Sequence, residues 1–382
     1  MSADTFVQRH PRWSATLLLI CAVSLTLAVS ELIARYLLSY EPGYYTATRG
    51  ADGGLVSSSS RTVKGELTYP YGIIKINSFG FPDEEFDLED ARPRIGYIGD
   101  SVTFGVGAGY GYRITEVLEQ YYPTMQHMNM SHGLGAGVTA KTIKEVLSWS
   151  TRFQLSKVVY LLNLNDISPG TAGTPGEVSH ATTLIKSLEA KLDELRGQSY
   201  LYTWVRNSIK TFLLARGIGV QGTSYELHPA SYGRVIEETA TRVNYLGHAL
   251  RQLGVELIVV LIPYEMQISQ EAERFYRASG VKWGDGFIEG LTQQKLIEGL
   301  HGIRVFNALE AFVGRDGKGA GRRDNRSGQY FVHHRGGRLD WNHPERMGHR
   351  RIAEYLAHNA IFGRSERALT VSHGAPWSDL AE

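Results

Sequence analysis

The chain has 382 residues, enough for one large domain or two ordinary ones around a real apolar core. Lysine and arginine number 40 against 39 aspartates and glutamates, a formal net charge of +1, so nothing suggests the clustered positive field that nucleic acid requires, and no nucleic-acid partner is expected. One cysteine, Cys21, excludes an internal disulfide framework and a cysteine-based metal site.

The first element is apolar. Trp13 to Ser30 reads WSATLLLICAVSLTLAVS without a charge, behind Arg9, His10 and Arg12. A spanning helix needs about 18 or more such residues and a cleaved signal core about 7 to 15, so this run sits at the border. It predicts an N-terminal transmembrane anchor over residues 1–38, with a signal removed near Ala28-Val29-Ser30 as the alternative. The basic flank favours a cytoplasmic N-terminus, which leaves the remainder periplasmic or extracellular.

Residues 39–92 are polar and turn-rich. ADGGLVSSSSRT reads as a loose linker, and GIIKINSFGF as a short strand leaning on the main domain. From Pro93 the texture changes. RIGYIG (94–99), KVVYLLNL (157–164), VELIVVLIP (255–263) and IRVFNA (303–308) are near-continuous apolar runs, with MQHMNM (125–130) a weaker fifth. Such runs suit parallel strands buried on both faces. Between them Ile114, Val117, Leu118 and Tyr121 share one helical face, as do Ile143, Val146 and Leu147, and Ile236, Ala240, Val243 and Leu246. Alternating strands and helices predict a doubly wound, three-layer α/β/α sandwich with a mostly parallel five-stranded sheet.

Residues 168–232 interrupt this alternation as a helical insertion. TLIKSLEAKLDELRG reads as a solvated helix. SYLYTWVRNSIKTFLLARG is more apolar and fits either a helix packed on the sheet or over the site, the preferred reading, or one that dips into a membrane surface. The expected organisation is thus an anchor (1–38), a linker with a short extension (39–92), the α/β domain (93–364) and a C-terminal tail (365–382) read as disordered.

In open parallel sheets, ligands bind beyond the carboxyl ends of the strands. Gly99-Asp100-Ser101 stands at one of those ends. Serine attack on an ester needs a neutral base, a carboxylate to orient it and donors facing the developing oxyanion. A histidine titrates near working pH and is the natural base. RLDWNHPERMGHRRIAEYL supplies Asp340 and His343 three residues apart, followed by Pro344 at the expected first position of a helix whose inner face is Ile352, Ala353 and Leu356. His349 within that helix reads as structural. For the oxyanion, Asn165 ends the third strand run and has a side-chain NH2 to offer. The backbone of Ser101 is a second donor, and Gly135 in SHGLGAGVT is the preferred third, with Gly133 and Gly137 as alternatives.

Together, GDSVTFG, the glycine block, NLND and DWNHP occur in the order and topological places of the SGNH, or GDSL, hydrolases, and residues Pro93 to Leu356 resemble that family. The resemblance implies the flavodoxin-like SGNH hydrolase fold. It also implies Ser101 as nucleophile, His343 as base, Asp340 as its partner, and Gly135 and Asn165 in the oxyanion hole; Asp100 belongs to the serine loop. Asn163 stands where the family commonly has a glycine, and three alternating glycines leave the register of the second block open.

Other readings are weaker. GAGVTA fits a dinucleotide-binding glycine pattern, but the following strand ends in Asn163 and Asn165 and not in an acid placed for a ribose. An α/β-hydrolase elbow needs a glycine two residues after the serine, and that position is Thr103. The basic, glycine-rich stretch 314–338 reads as a solvated loop; an acidic glycan is its functional alternative. His333 and His334 have no carboxylate pair at ligand spacing, so neither a metal nor a cofactor is expected. The function implied is an extracytoplasmic serine esterase acting on acyl, commonly O-acetyl, esters of a small molecule, glycan or cell-envelope component. The alternatives are an O-acyltransferase with a sugar acceptor and a non-catalytic glycan-binding envelope protein.

Overall fold

The computed structural model describes residues 10–37, 48–49, 55–56, 65–69, 72–131, 137–169, 199–215, 224–313, 325–332 and 340–363. The helix expected over TLIKSLEAKLDELRG, Gly133, Gly135, His333, His334, most of the linker and the C-terminal tail lie outside them.

The chain divides into two units. One holds α1 (Pro11–Tyr36) and α5 (Tyr200–Ala215). Helix α1 is long and apolar enough to cross a membrane. Consecutive residues Leu17, Leu18, Leu19 and Ile20 are all more than half exposed, so its apolar surface runs round the whole circumference and not along one stripe. In α5 the insertion does form its second expected helix, and the described packing partner of that helix is α1.

The other unit is a five-stranded parallel sheet flanked by helices. Its strands are β5 (Arg94–Gly99), β6 (Gln126–Asn129), β7 (Leu155–Asn163), β8 (Glu256–Ile262) and β9 (Arg304–Asn307), in the order β6-β5-β7-β8-β9. Side chains alternate across the sheet. Ile95, Tyr97, Val159, Leu161, Ile258 and Val260 share one core with Ile114 and Leu118 of α3 (Ile114–Tyr121) and with Ile352, Ala353 and Leu356 of α11 (Arg346–His358). The opposite face is covered by α4 (Ala140–Arg152) against β7 and α6 (Gly233–Gln252) against β8. Double coverage explains why β5, β7 and β8 are nearly unbroken apolar runs. The chain is therefore a doubly wound α/β/α sandwich with one N-terminal apolar helix.

Ahead of β5 lie two antiparallel hairpins, β1 (Thr48–Arg49) with β2 (Leu55–Val56) and β3 (Gly65–Tyr69) with β4 (Gly72–Ile76). The segment between β4 and β5 packs on the sandwich through aromatics. The ring of Phe81 meets Trp149 and Phe153 edge-on at 5.2 and 6.0 Å, and Phe86 meets Phe153 at 5.6 Å.

Two local expectations change. Pro344 does not open a helix: α11 begins at Arg346 with Glu345 as its N-cap residue. Residues 343–345 instead run extended beside 330–332, with Val332 N–H donating to the His343 carbonyl at 3.0 Å and Glu345 N–H to the Tyr330 carbonyl at 2.9 Å. The described end of the stretch read as a solvated loop is correspondingly interior, Phe331 being fully buried and Val332 nearly so. Phe331, with Tyr330 beside it, completes the core under α11, which the basic residues around them mask in the sequence.

Candidate active site

The sheet order reverses between β5 and β7: the chain goes from β5 outward to β6, then returns to β7 on the other side of β5. That switch point opens a crevice at the carboxyl ends of the strands. Asp100 and Ser101 follow β5 directly into it.

Asp100 turns the chain. Its Oδ1 accepts from the Val102 N–H at 2.9 Å and caps α2 (Ser101–Phe104), placing Ser101 at the first helical position. Its Oδ2 accepts from the side-chain amide of Asn163, at the end of β7, at 3.1 Å. From the β6 side, the buried Ser131 hydroxyl lies 2.9 Å from the Asp100 carbonyl and 3.1 Å from that of Gly99. The serine loop is thus held from both neighbouring strands, and Ser101 itself stays partly open.

The far end of the chain meets it. Ser101 Oγ lies 2.8 Å from His343 Nε2, and His343 Nδ1 lies 2.8 Å from Asp340 Oδ1. Asp340 is almost wholly buried, its side chain 3% exposed, and that of His343 is 14% exposed. In the arrangement that satisfies both contacts, Nδ1–H donates to the carboxylate and the serine O–H donates to Nε2.

The other expected residues fall as follows. Asn165 sits on the single 3-10 turn Leu164–Asp166 that follows β7, exposed, and its side-chain amide makes no hydrogen bond among the described residues. Gly137 approaches this same turn so closely that a methyl group there would lie 2.1 Å from the Asp166 carbonyl oxygen. His349 is buried in α11, where Nδ1 accepts from the Ile114 N–H at 3.2 Å, tying α11 to α3. Burial, followed by the nearby Arg113 and His343 charges, lowers its pKa to about 3, so it stays neutral.

Four supports escape the motif reading. Ser131 and Asn163, the latter in place of the glycine, hold the serine loop, as above. Glu265 opens α7 (Glu265–Ile268), directly after β8, and is 1% exposed. Its N–H donates to the Trp341 carbonyl at 2.8 Å, and its carboxylate accepts from Gly328 N–H at 2.6 Å and Ser327 O–H at 3.2 Å. Tyr276 in α8 (Gln270–Ala278) places its hydroxyl 2.6 Å from Glu265 Oε2 and 2.9 Å from the Asp340 carbonyl. The acid just after a strand run was a usable signal for Glu265. Tyr276 carried none, because its role depends on where α8 lies.

Asp166 is buried against Tyr160, whose hydroxyl donates to its Oδ2 at 2.9 Å. Burial and then the Asp100 charge push its carboxyl well above the usual carboxylate range.

No family model matches this sequence, and no curated protein matches it. Among solved structures, similarity is found to a protein of the G-D-S-L family of lipolytic proteins from Desulfitobacterium hafniense DCB-2. That match has 11% identity and a TM-score of 0.34, and covers 69% of this chain and 97% of that one. A protein from Lactobacillus plantarum is similar at 12% identity and a TM-score of 0.33, over 71% of this chain and 97% of that one. At this distance the likeness assigns no chemistry.

Proposed function

We propose that this chain is a membrane-anchored, extracytoplasmic serine esterase of the SGNH type, with Ser101 as nucleophile, His343 as base and Asp340 as the group that orients it. One observation carries the reading: a hydroxyl, an imidazole and a buried carboxylate from two distant parts of the chain stand in line at 2.8 Å each, at the carboxyl edge of a parallel sheet.

The chemistry follows from that line. Ser101 Oγ attacks the acyl carbonyl as its proton passes to His343 Nε2, and the Asp340 carboxylate stabilises the imidazolium. The oxyanion faces the Ser101 N–H, at the start of α2 where the helix leaves its amides without partners, and the Asn165 amide. Gly135 is the proposed third donor. Collapse breaks the ester bond, and His343 returns the proton to the leaving alcohol. Water, activated by the same histidine, then attacks the acyl-serine and releases the acid. A sugar hydroxyl in place of that water would make an O-acyltransferase of the same machinery. The proposed substrates are acyl esters, O-acetyl esters of carbohydrate or cell-envelope components first among them.

A fluorophosphonate probe tests the reading. The full chain is expected to label once, and Ser101→Ala to abolish labelling while Ser148→Ala, on the exposed side of α4, retains it. Labelling that survives Ser101→Ala would refute the assignment. Release of acetate from a panel of acetylated glycans then identifies the ester class.

A further inference from the structure

Helix α5 carries a feature that the proposed chemistry does not use. Trp204, Val205, Ile209 and Phe212 are 36, 39, 54 and 54% exposed. With exposed Ser208 they fall at i, i+1, i+4, i+5 and i+8, one continuous face of the helix. Arg206 and Lys210 fall on the opposite side, and the sixteen residues Tyr200–Ala215 contain no acid. A cationic helix with an exposed aromatic and aliphatic face has the pattern of an interfacial membrane helix.

Its attachment points the same way. The Glu31 carboxylate, on the penultimate turn of α1, accepts from the N–H groups of Tyr200 at 2.8 Å and Leu201 at 2.9 Å, and from the Ser199 hydroxyl at 2.8 Å. It thereby satisfies the first orphan amides of α5. The Arg35 guanidinium lies 4.8 Å from the centre of the Tyr200 ring. These contacts join the start of α5 to the end of α1, while Leu17 to Ile20, deep in the apolar run, remain exposed. The sixteen described residues of α5 span about 24 Å, short of the roughly 30 Å of a hydrocarbon core.

We infer that α5 is a second membrane contact: an amphipathic helix that lays its Trp204–Phe212 face into the headgroup boundary of the same bilayer that α1 enters, with its basic side turned away from the acyl chains. The inference rests on α1 being the anchor. Continuity with that anchor identifies lipid as the occupant of the face.

The test uses the full chain reconstituted in phosphatidylcholine–phosphatidylglycerol vesicles, with a bimane label on one cysteine at a time. Native Cys21 reports α1. In a Cys21→Ser background, Ile209→Cys and Phe212→Cys report the apolar face of α5, Arg206→Cys its other side, and Tyr245→Cys the exposed surface of α6. Labels at 209 and 212 are expected to be severalfold less open to iodide than those at 206 and 245. They should also be quenched by doxyl groups near the headgroup more than by doxyl groups at the chain end, with the reverse order at Cys21. Labels at 209 and 212 as open to iodide as that at 245 overturn the proposal. So does shielding from iodide without doxyl quenching, which means that protein covers the face. In either case doxyl quenching at Cys21 leaves the anchor standing. An unquenched Cys21 refutes the anchor itself, and with it the placing of α5 in the bilayer that α1 enters.

Discussion

Gly107 passes so close to Pro344 that a methyl group on its α-carbon would lie 2.3 Å from the Pro344 carbonyl oxygen. This contact joins the segment just after Ser101 to the residue just after His343. Arg346 Nε adds a hydrogen bond to the Ala108 carbonyl at 3.2 Å. The glycines that follow the serine thus include one whose missing side chain lets the two halves of the site close.

Gly107→Ala should therefore separate the serine and histidine loops. Overpacking of this kind costs about 1–3 kcal/mol, beyond the cost of a side chain at positive φ. Gly111→Ala is the control, since it shares a positive φ but has nothing within 4 Å. Esterase activity is expected to fall more than tenfold in Gly107→Ala and to change little in Gly111→Ala, measured with p-nitrophenyl acetate beside denaturant unfolding. Equal losses in both would show that the close approach does not matter.

Asp340→Asn should leave unfolding transitions nearly unchanged and lower kcat by about 10³- to 10⁴-fold, because the amide favours the wrong imidazole tautomer and cannot stabilise its charge. Adding Ser101→Ala to Asp340→Asn should cost far less than it does alone, since the residues act as a unit. Independent, multiplicative losses from the two changes would contradict the proposed division of roles.

Tyr276→Phe removes the hydroxyl that bridges Glu265 and the Asp340 carbonyl. Loss of one partner from a buried, charge-assisted hydrogen bond costs about 1–3 kcal/mol. Part of that cost should appear as a looser Asp340–His343 turn. Steady-state kinetics are expected to show kcat reduced about tenfold with KM little changed. A raised KM with kcat intact would assign Tyr276 to substrate binding instead.

Glu226, on the single turn Tyr225–Leu227, is buried and accepts from the Tyr264 hydroxyl at 3.0 Å. Burial raises its pKa from 4.5 to about 7. The folded chain then holds this proton more tightly than the unfolded chain. Its contribution to stability is complete below pH 4.5 and is lost as pH rises toward 7. Relative to Glu226→Gln, the native protein should lose about 3 kcal/mol across that window and stay level above it. Denaturant titrations of both proteins at steps between pH 4.5 and 8 measure the difference, and a constant difference would show that Glu226 is not buried as a neutral acid.

Most of the sandwich was legible because double burial leaves a direct imprint. Strands covered on both faces tend to be apolar throughout, and β5, β7 and β8 lie within one or two residues of their apolar runs, whereas the partly exposed β9 and the buried but polar β6 (QHMN) leave a weaker mark. The expected inner face of α11 is the buried one for the same reason. Composition and periodicity record what a residue is buried from, not what it is buried against. Pro344 was misplaced because its partner, the strand-like run at 330–332, is hidden among arginines and glycines and carries no strand pattern of its own.

The sequence by itself determined the order of the sheet strands, the apolar N-terminal helix and a short list of candidate residues for acyl chemistry, since each depends on local pattern and on side-chain type; the two hairpins ahead of β5 it did not show. Tertiary structure alone decided that Ser101 and His343 come within 2.8 Å, that Asn163, Ser131, Tyr276 and Glu265 brace the loops that carry them, and that α5 docks on α1 through Glu31. Hydrogen bonds of this kind join groups tens to hundreds of residues apart. Their distances are fixed by strand order and helix packing, which no local stretch of the chain encodes.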